Sequence, residues 1–367
     1  MNPIKRRQRL LALSGLGAIA WLALGCASGS PTSSGPNSSG PNSSSPPGET
    51  DDAFTPAPNR PIERSPRADA RSTSGEGEVL RAEAHAAAGE LDRALAEFER
   101  AIAINPELTV AYLGAGEIYR ERGDYPAAEG LFREATRRTP RSYDAHYNLA
   151  LTLQFMERLT EAVRSYLRAL SINPDAFDAN LNIATVYLEL SEPAQATPYA
   201  EKAVALQPGS AEARINLAAA SAALGNHERS VVEYQQAAEL TPLTPNLLIG
   251  LADSLGQLRR HGEMLGTLQE AARQAETAPI YERMGSAQFH LRQYEASLGS
   301  FQRAIQLDEA YYPAWNGIAV NLLNRHLWTG GRDPESLAGA TDALRRSLQI
   351  RPDQPRILQL LDRYGPN

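Results

Sequence analysis

Apolar and small residues recur along residues 75–352 at the three-to-four spacing of one helix face. Three segments show the pattern: RALAEFERAIAINPE, AAEGLFREATRRTPR and EAVRSYLRALSINPD. This spacing predicts amphipathic helices. Each is too short to bury its apolar face alone, so the pattern predicts helix pairs that pack against neighbouring pairs.

The helical segments repeat with a period of 34 residues. Prolines recur at this interval and are assigned position 32 of each unit: Pro106, Pro140, Pro174, Pro208 and Pro242. Positions 8, 20 and 27 are mostly small, and position 24 is mostly bulky. We expect the small residues to let helix axes approach closely and the bulky residue to fill the space between them. The proline ends the second helix, and glycines at position 15 end the first: Gly89, Gly123 and Gly225.

This period and these residues resemble the tetratricopeptide-repeat family. The resemblance implies an all-α, right-handed superhelical solenoid of about eight helix pairs. Its repeats are predicted at about 75–108, 109–142, 143–176, 177–210, 211–244, 245–277, 278–311 and 312–352, with a capping helix and tail at 353–367. The eighth repeat carries about nine extra residues around WTGGRDPES, which we expect to form a loop. Trp328 in that loop either anchors a partner or folds back, with Leu327, on the capping helix.

The resemblance also implies a concave groove lined by positions 2, 5, 6, 9 and 12 of each first helix. In repeats 3 to 5, position 2 is acidic, position 5 is apolar or aromatic, and position 6 is asparagine. These are the candidate ligand-binding residues: Asp144, Asp178 and Glu212; Tyr147, Leu181 and Ile215; Asn148, Asn182 and Asn216. Positions 2, 5, 6 and 9 of repeats 1 to 5 hold no Lys or Arg, although position 12 offers Arg120. We therefore expect an extended, neutral-to-basic segment as ligand.

The asparagine column has two interpretations. An asparagine side chain both donates and accepts hydrogen bonds, so a ladder of them can bind the backbone of an extended peptide. This resembles the asparagine ladder in the repeat superhelix of O-linked N-acetylglucosamine transferases. Alternatively, the amides bond neighbouring helices and face no ligand.

The N-terminal segment resembles a bacterial lipoprotein signal. A basic head precedes the apolar residues 10–25, and Ala23-Leu24-Gly25-Cys26 matches the lipobox, loosely at its first two positions. The resemblance implies a signal peptide at 1–25 and a lipid on Cys26. Residues 26–74 are then a disordered Ser/Gly/Pro linker that spans roughly 35–40 Å as a coil. Alternatively, Cys26 is an incidental residue of a signal or a membrane span. Ala27 favours the outer membrane, facing the periplasm.

Composition argues against several classes of function. Without the basic residues 1–25 the chain carries a formal charge of −11, since the whole chain carries −7 and residues 1–25 carry +4. Such an acidic chain is poorly suited to nucleic acid. One cysteine excludes an internal disulfide, and the six histidines are scattered. We expect no enzyme activity, cofactor or metal.

Two functional hypotheses follow. The first is a non-catalytic, envelope-anchored scaffold or peptide-binding adaptor, for example in assembly of a type IV pilus or its secretin. The second is an accessory specificity subunit of an envelope enzyme, such as a glycosyltransferase or a peptidoglycan hydrolase. Either would bind proteins in the groove and the membrane through its lipid.

Replacing Cys26 by Ser is expected to leave the precursor uncleaved by the lipoprotein signal peptidase and without lipid, because only a thiol accepts the diacylglycerol. Labelled palmitate incorporation and the mass of the N-terminal peptide measure both effects. Palmitate in the Ser variant would show that the anchor prediction is wrong.

Overall fold

A computed structural model describes residues 75–365 as a succession of α-helices. They are α1 (Glu76–Ala87), α2 (Leu91–Ile104), α3 (Thr109–Glu121), α4 (Tyr125–Arg138), α5 (Tyr143–Phe155), α6 (Leu159–Ile172), α7 (Phe177–Glu189), α8 (Pro193–Leu206), α9 (Ala211–Ala223), α10 (His227–Leu240), α11 (Pro245–Gln257), α12 (His261–Gln274), α13 (Ala278–His290), α14 (Tyr294–Leu307), α15 (Tyr312–Trp328), α16 (Pro334–Ile350) and α17 (Pro355–Tyr364). The predicted signal peptide, Cys26 and the predicted linker lie outside the described residues.

Each helix packs on the next one along the chain, which confirms the predicted all-α solenoid. The odd-numbered helices up to α15 begin the repeats, and most of them also contact the first helix of the following repeat. Second helices make no comparable contact with each other within residues 75–365. Because the first helices lie closer together, the stack curves with these helices on its concave side.

The helices end near the predicted prolines and glycines, and four further turns have a left-handed residue that the sequence did not predict. The second helices of the first five repeats end two residues before the periodic prolines, and the three position-15 glycines have φ near 80°. In four other repeats a side-chain-bearing residue takes the same left-handed conformation: Glu157, Ser191, Arg259 and Arg292, with φ of 58–61°. The repeat geometry thus imposes the turn even where the residue disfavours it, at a cost of about 1 kcal/mol per site.

Aromatic rings at position 24 separate successive first helices, as predicted. Position 6 of the following repeat is a glycine beside three of these rings. A Cβ added to Gly114 would lie 2.2 Å from the Phe98 ring, and one on Gly317 would lie 2.3 Å from the Phe301 ring. Gly250 stands in the same relation to Tyr234. At such distances a side chain would force the ring or the helices to shift, so the ring sets the spacing between these repeats.

The prediction of an inserted loop in the eighth repeat is wrong. The additional residues lengthen both helices of the pair, since α15 and α16 each have 17 residues where most others have 13 or 14. Trp328 is the last residue of α15, and its ring lies 6.3 Å from the ring of Tyr294. It is 75% exposed and does not fold onto the capping helix. The apolar spacing of α15 simply continues through Leu323 and Leu327, so the helix has no reason to end earlier.

The capping helix α17 packs on α16 and closes the apolar end of the stack. Ile357 is buried in the last core cluster. Gln354, just before α17, donates to Ser347 in α16 and accepts a hydrogen bond from Asn316 in α15. This single amide joins the cap to both helices of the eighth repeat.

Gly114→Ala is expected to destabilise the solenoid by about 1–3 kcal/mol, because the added methyl group overlaps the Phe98 ring. Gly130→Ala, one helix later, is the matched control. Nothing lies within 4 Å of its added Cβ, and alanine favours a helix by about 0.5–1 kcal/mol.

Urea unfolding followed by circular dichroism measures both variants. Combining Gly114→Ala with Phe98→Leu should cost less than the sum of the two single changes, since the smaller side chain makes room for the methyl group. Equal stability of the Gly114 and Gly130 variants would contradict the proposed spacing role of the ring.

Candidate functional site

The nine predicted ligand-binding residues lie on three successive first helices, α5, α7 and α9. The position-2 acids are exposed and form no ion pair within residues 75–365. The position-5 side chains, Tyr147, Leu181 and Ile215, are half-buried. Asn148 is buried, and Asn182 and Asn216 are half-buried. The structure therefore brings the predicted set onto one face, with the acids outermost.

Each asparagine amide nitrogen bonds the first helix of the preceding repeat. Asn148 Nδ2 donates to Glu117 Oε1 at 3.3 Å, and Asn182 Nδ2 donates to the Tyr147 hydroxyl at 3.1 Å. Asn216 Nδ2 donates to Thr185 Oγ1 at 2.8 Å and to the Leu181 carbonyl at 3.2 Å. The column therefore joins repeats to one another. That a ligand also meets these amides stays a prediction.

A general rule connects these bonds: a donor at position 6 reaches an acceptor at position 9 of the preceding repeat. Asn148 with Glu117 and Asn216 with Thr185 follow it. Position 9 of repeat 3 is Leu151, which cannot accept, and Asn182 turns to a tyrosine hydroxyl instead. In repeat 7 the donor is an arginine: Arg283 Nε and Nη2 donate to the two carboxylate oxygens of Asp253 at 2.7 and 3.1 Å.

The groove near repeats 2 and 3 holds an acid and a base side by side. Burial raises the pKa of Glu117, while the charge of Arg120 and the hydrogen bond from Asn148 oppose that rise. Arg120 Nε is buried, with no acceptor among the described residues. The Tyr147 ring stacks on Tyr143 at 5.6 Å between centroids, and burial raises the pKa of both hydroxyls.

A second polar cluster occupies the groove at repeats 6 to 8. Glu282, at position 5 of repeat 7, is 9% exposed. Burial raises its pKa to about 7, with a smaller opposing effect from Arg283. Burial also opposes the charge of Arg283, but Asp253 raises its pKa above the usual range. Tyr311, which precedes α15, faces the same pair.

The C-terminal end of the groove is apolar. A depression of about 230 Å³ lies between α13, α15 and the capping helix. Its lining includes Phe289 and Leu323, at position 12 of repeats 7 and 8, and Leu327. Leu360 and Tyr364 of α17 complete the wall. The groove thus changes from acidic in repeats 3 to 5 to apolar at its end.

Sequence reasoning missed the pair Asp253–Arg283 and the buried Glu282. It considered positions 2 to 9 mainly in the five regular repeats, and it compared each position only with the same position of other repeats. Comparing position 9 of one repeat with position 6 of the next would have found Asp253 opposite Arg283. Glu282 could have been found as the one acid in an otherwise uncharged position-5 column.

Residues 75–365 contain no group of three or more His, Cys, Asp or Glu side chains arranged to hold a metal ion. None of their helices has the length and apolar character needed to cross a membrane.

Comparisons with known proteins agree with this architecture. Residues 113–177, 147–196 and 181–247 match the family model for tetratricopeptide repeats. The structure of the APC/C hetero-tetramer Cut9–Hcn1 contains a chain that is similar at a TM-score of 0.51 and 18% identity, covering 74% of this chain and 52% of that one. A comparison with curated proteins finds no match.

Two bacterial structures are similar at lower scores. A tetratricopeptide repeat protein from Parabacteroides merdae has a TM-score of 0.47 and 19% identity, over 64% of this chain and 93% of that one. The pilF protein of Pseudomonas aeruginosa has a TM-score of 0.48 and 17% identity, over 56% and 93% of the two chains.

Glu282→Gln is expected to stabilise the protein at high pH. The folded-state pKa of Glu282 is raised from 4.5 to about 7, so the folded state holds the proton more tightly than the unfolded state. Wild-type stability should therefore fall as pH rises from about 4.5 to 7, and glutamine should remove this loss. The expected gain is about 2–4 kcal/mol at pH 8, and it should shrink towards zero near pH 4.

Urea midpoints across this pH range measure the effect. Glu99→Gln, at an exposed position of α2, is the matched control and should show no comparable pH-dependent difference. A constant difference between wild type and Glu282→Gln at every pH would contradict a raised pKa.

Proposed function

We propose that this tetratricopeptide-repeat protein acts, without catalysis of its own, as a lipid-anchored scaffold. Its concave groove holds an extended, neutral-to-basic segment of a partner protein. Stacked repeats form long concave surfaces suited to such segments. The family match and the fold support protein binding in general, and the features of the groove support the character of the ligand.

The three exposed acids carry this proposal. Asp144, Asp178 and Glu212 stand at the same position of successive repeats, and no described cation pairs with them. A column of one sign raises the local concentration of opposite charge and repels acidic segments. Because these carboxylates are exposed, their contribution is modest for each residue and falls with salt.

Beneath the acids, half-buried Leu181 and Ile215 offer apolar surface to alternate side chains of the segment. The asparagine nitrogens already bond neighbouring helices, so the contribution we propose for these amides is their oxygen atoms. An oxygen accepts a hydrogen bond from a peptide N–H, and each such bond contributes about 0.5–1.5 kcal/mol. The backbone is thus bound independently of its sequence, while the acids select its charge.

Anchoring is proposed from the N-terminal sequence alone. A lipidated Cys26 would attach the chain to the bacterial cell envelope, at the outer membrane facing the periplasm. The linker would let the solenoid reach partners tens of ångströms away. The partners we propose are components of an assembly such as a type IV pilus or its secretin. Recovery of hydrolases or transferases instead, from detergent-solubilised envelopes, would favour the accessory-subunit hypothesis.

The test compares two triple variants of equal charge change. Asp144→Asn, Asp178→Asn and Glu212→Gln neutralise the groove, whereas Glu99→Gln, Glu228→Gln and Glu239→Gln neutralise exposed acids on second helices. Both are titrated with fluorescent heptapeptides that alternate Leu with Lys, Gln or Glu.

The groove variant should bind the Lys peptide roughly 3- to 30-fold more weakly at low salt, and the difference should narrow as salt is added. The second-helix variant should bind like wild type, and the Glu peptide should bind weakly throughout. Indistinguishable affinities of the two triple variants would show that the groove acids do not select the ligand.

A further inference from the structure

Glu282 is a buried carboxyl group on the groove floor with no hydrogen-bond donor of its own. Its side chain is nine-tenths buried, no residue within 75–365 donates a hydrogen bond to it, and its carboxylate oxygens retain a small accessible surface. A buried carboxyl group without a donor is unfavourable, because burial costs it the hydration that it has in water. Such an exception in a folded chain requires an explanation.

The missing donor has a structural cause. In repeats 3 to 5, an asparagine at position 6 donates to the preceding repeat, twice at its position 5. The residue that would cover Glu282 in this way is Gly317. Any side chain there would overlap the Phe301 ring, which lies 2.3 Å from the position of its Cβ. The ring therefore excludes a covering donor.

The nearest cation is also engaged elsewhere. Arg283 follows Glu282 in the chain, but its guanidinium donates to both oxygens of Asp253 on α11 and to the Pro279 carbonyl. The charged and titratable groups that face Glu282 are Arg283 on its own helix, Asp253 on α11 and Tyr311 before α15. Arg283 thus acts on Glu282 only through its charge, without a hydrogen bond, because its donors are directed at Asp253 and Pro279.

A second acceptor nearby in the same column lacks a donor. Asn316 occupies position 5 of repeat 8, 34 residues after Glu282. Its Nδ2 donates to Gln354 at 2.9 Å, which fixes the orientation of the amide, and its buried Oδ1 meets no donor among the described residues. Two consecutive position-5 residues thus present acceptors where repeats 4 and 5 present leucine and isoleucine.

We propose that the groove floor at repeats 7 and 8 is a binding site for a primary ammonium group, with Glu282 as its anion. The occupant is the lysine side chain of the bound segment, so the inference rests on the proposed function. An ammonium group suits the site because it supplies three donors and no acceptor. Its alkyl stem can run along the groove towards the apolar wall of Phe289 and Leu323, two helical turns further on.

Binding at this site is coupled to pH. Since burial raises the pKa of Glu282 to about 7, the empty site is largely protonated at pH 6 and largely ionised at pH 8. A cation binds the ionised form, so binding releases a proton. The affinity for an ammonium group should rise about tenfold between these two pH values, in proportion to the ionised fraction.

The direct experiment follows the Glu282 carboxyl carbon by nuclear magnetic resonance in the full chain, with Glu282→Gln to assign the signal. The pH titration is run in n-butylammonium chloride and, at the same ionic strength, in sodium chloride. The apparent pKa should be lower in butylammonium by about half a unit or more. An unchanged pKa would overturn the site, and n-butanol serves as the uncharged control.

The second experiment uses the heptapeptide that alternates Leu with Lys, and the same peptide with every lysine acetylated. Glu282→Gln should bind the Lys peptide about tenfold more weakly than wild type at pH 8 and about equally at pH 6. Glu117→Gln is the control, because it removes another carboxyl group from the groove whose pKa is also raised. It should keep the wild-type dependence on pH.

These outcomes separate the two proposals. If wild type binds the Lys peptide and Glu282→Gln binds it identically at both pH values, the ammonium site is wrong and the proposed function stands. If no peptide binds but butylammonium lowers the apparent pKa, the site stands and the proposed function fails. If Glu282→Gln perturbs folding, the peptide titrations use Glu282→Met instead, because methionine has a similar length and no charge.

Discussion

This solenoid depends on one packing contact, in which the aromatic ring at position 24 lies between the first helices of two successive repeats. The ring keeps those helices from coming closer. Phe301 lies against two glycines, Gly285 in its own repeat and Gly317 in the next. A single ring thus sets the spacing both within a helix pair and between pairs. No repeat buries its apolar face alone, so such contacts, in the repeats whose position 24 is aromatic, link the stability of those repeats to their neighbours.

The same contact limits what position 6 can hold in three of the repeats. Position 6 faces the preceding repeat, where it either makes room for a ring or places a donor. Gly114, Gly250 and Gly317 make room, while Asn148, Asn216 and Arg283 donate to position 9. One position thus serves packing in some repeats and hydrogen bonding in others, and at Gly317 the Phe301 ring takes the place of a donor. Glu282 lacks a donor for this reason.

The two halves of the groove use charge differently. The acids of α5, α7 and α9 are exposed, so each acts weakly and its effect falls as salt is added. Glu282 is buried, so its ionisation carries a desolvation cost and its charge is set by what binds beside it. The first arrangement suits selection among many segments, and the second suits recognition of one group. A single peptide lying along the stack would meet both.

The sequence alone determined the repeat, because a 34-residue period of small residues, rings and prolines is a local pattern that each helix pair satisfies in the same way. It therefore predicted the helix pairs, the glycine turns that end first helices such as the one at Gly89, the capping helix and the column Asp144–Asp178–Glu212. It did not determine the conformation of WTGGRDPES, because an insertion can lengthen two helices as readily as a loop. Only the tertiary structure decided that Asn148 bonds Glu117, that Arg283 pairs with Asp253, and that Glu282 has no donor. These relations join residues about 30 apart on different helices, and they depend on the distance between helix axes, which the packed rings set.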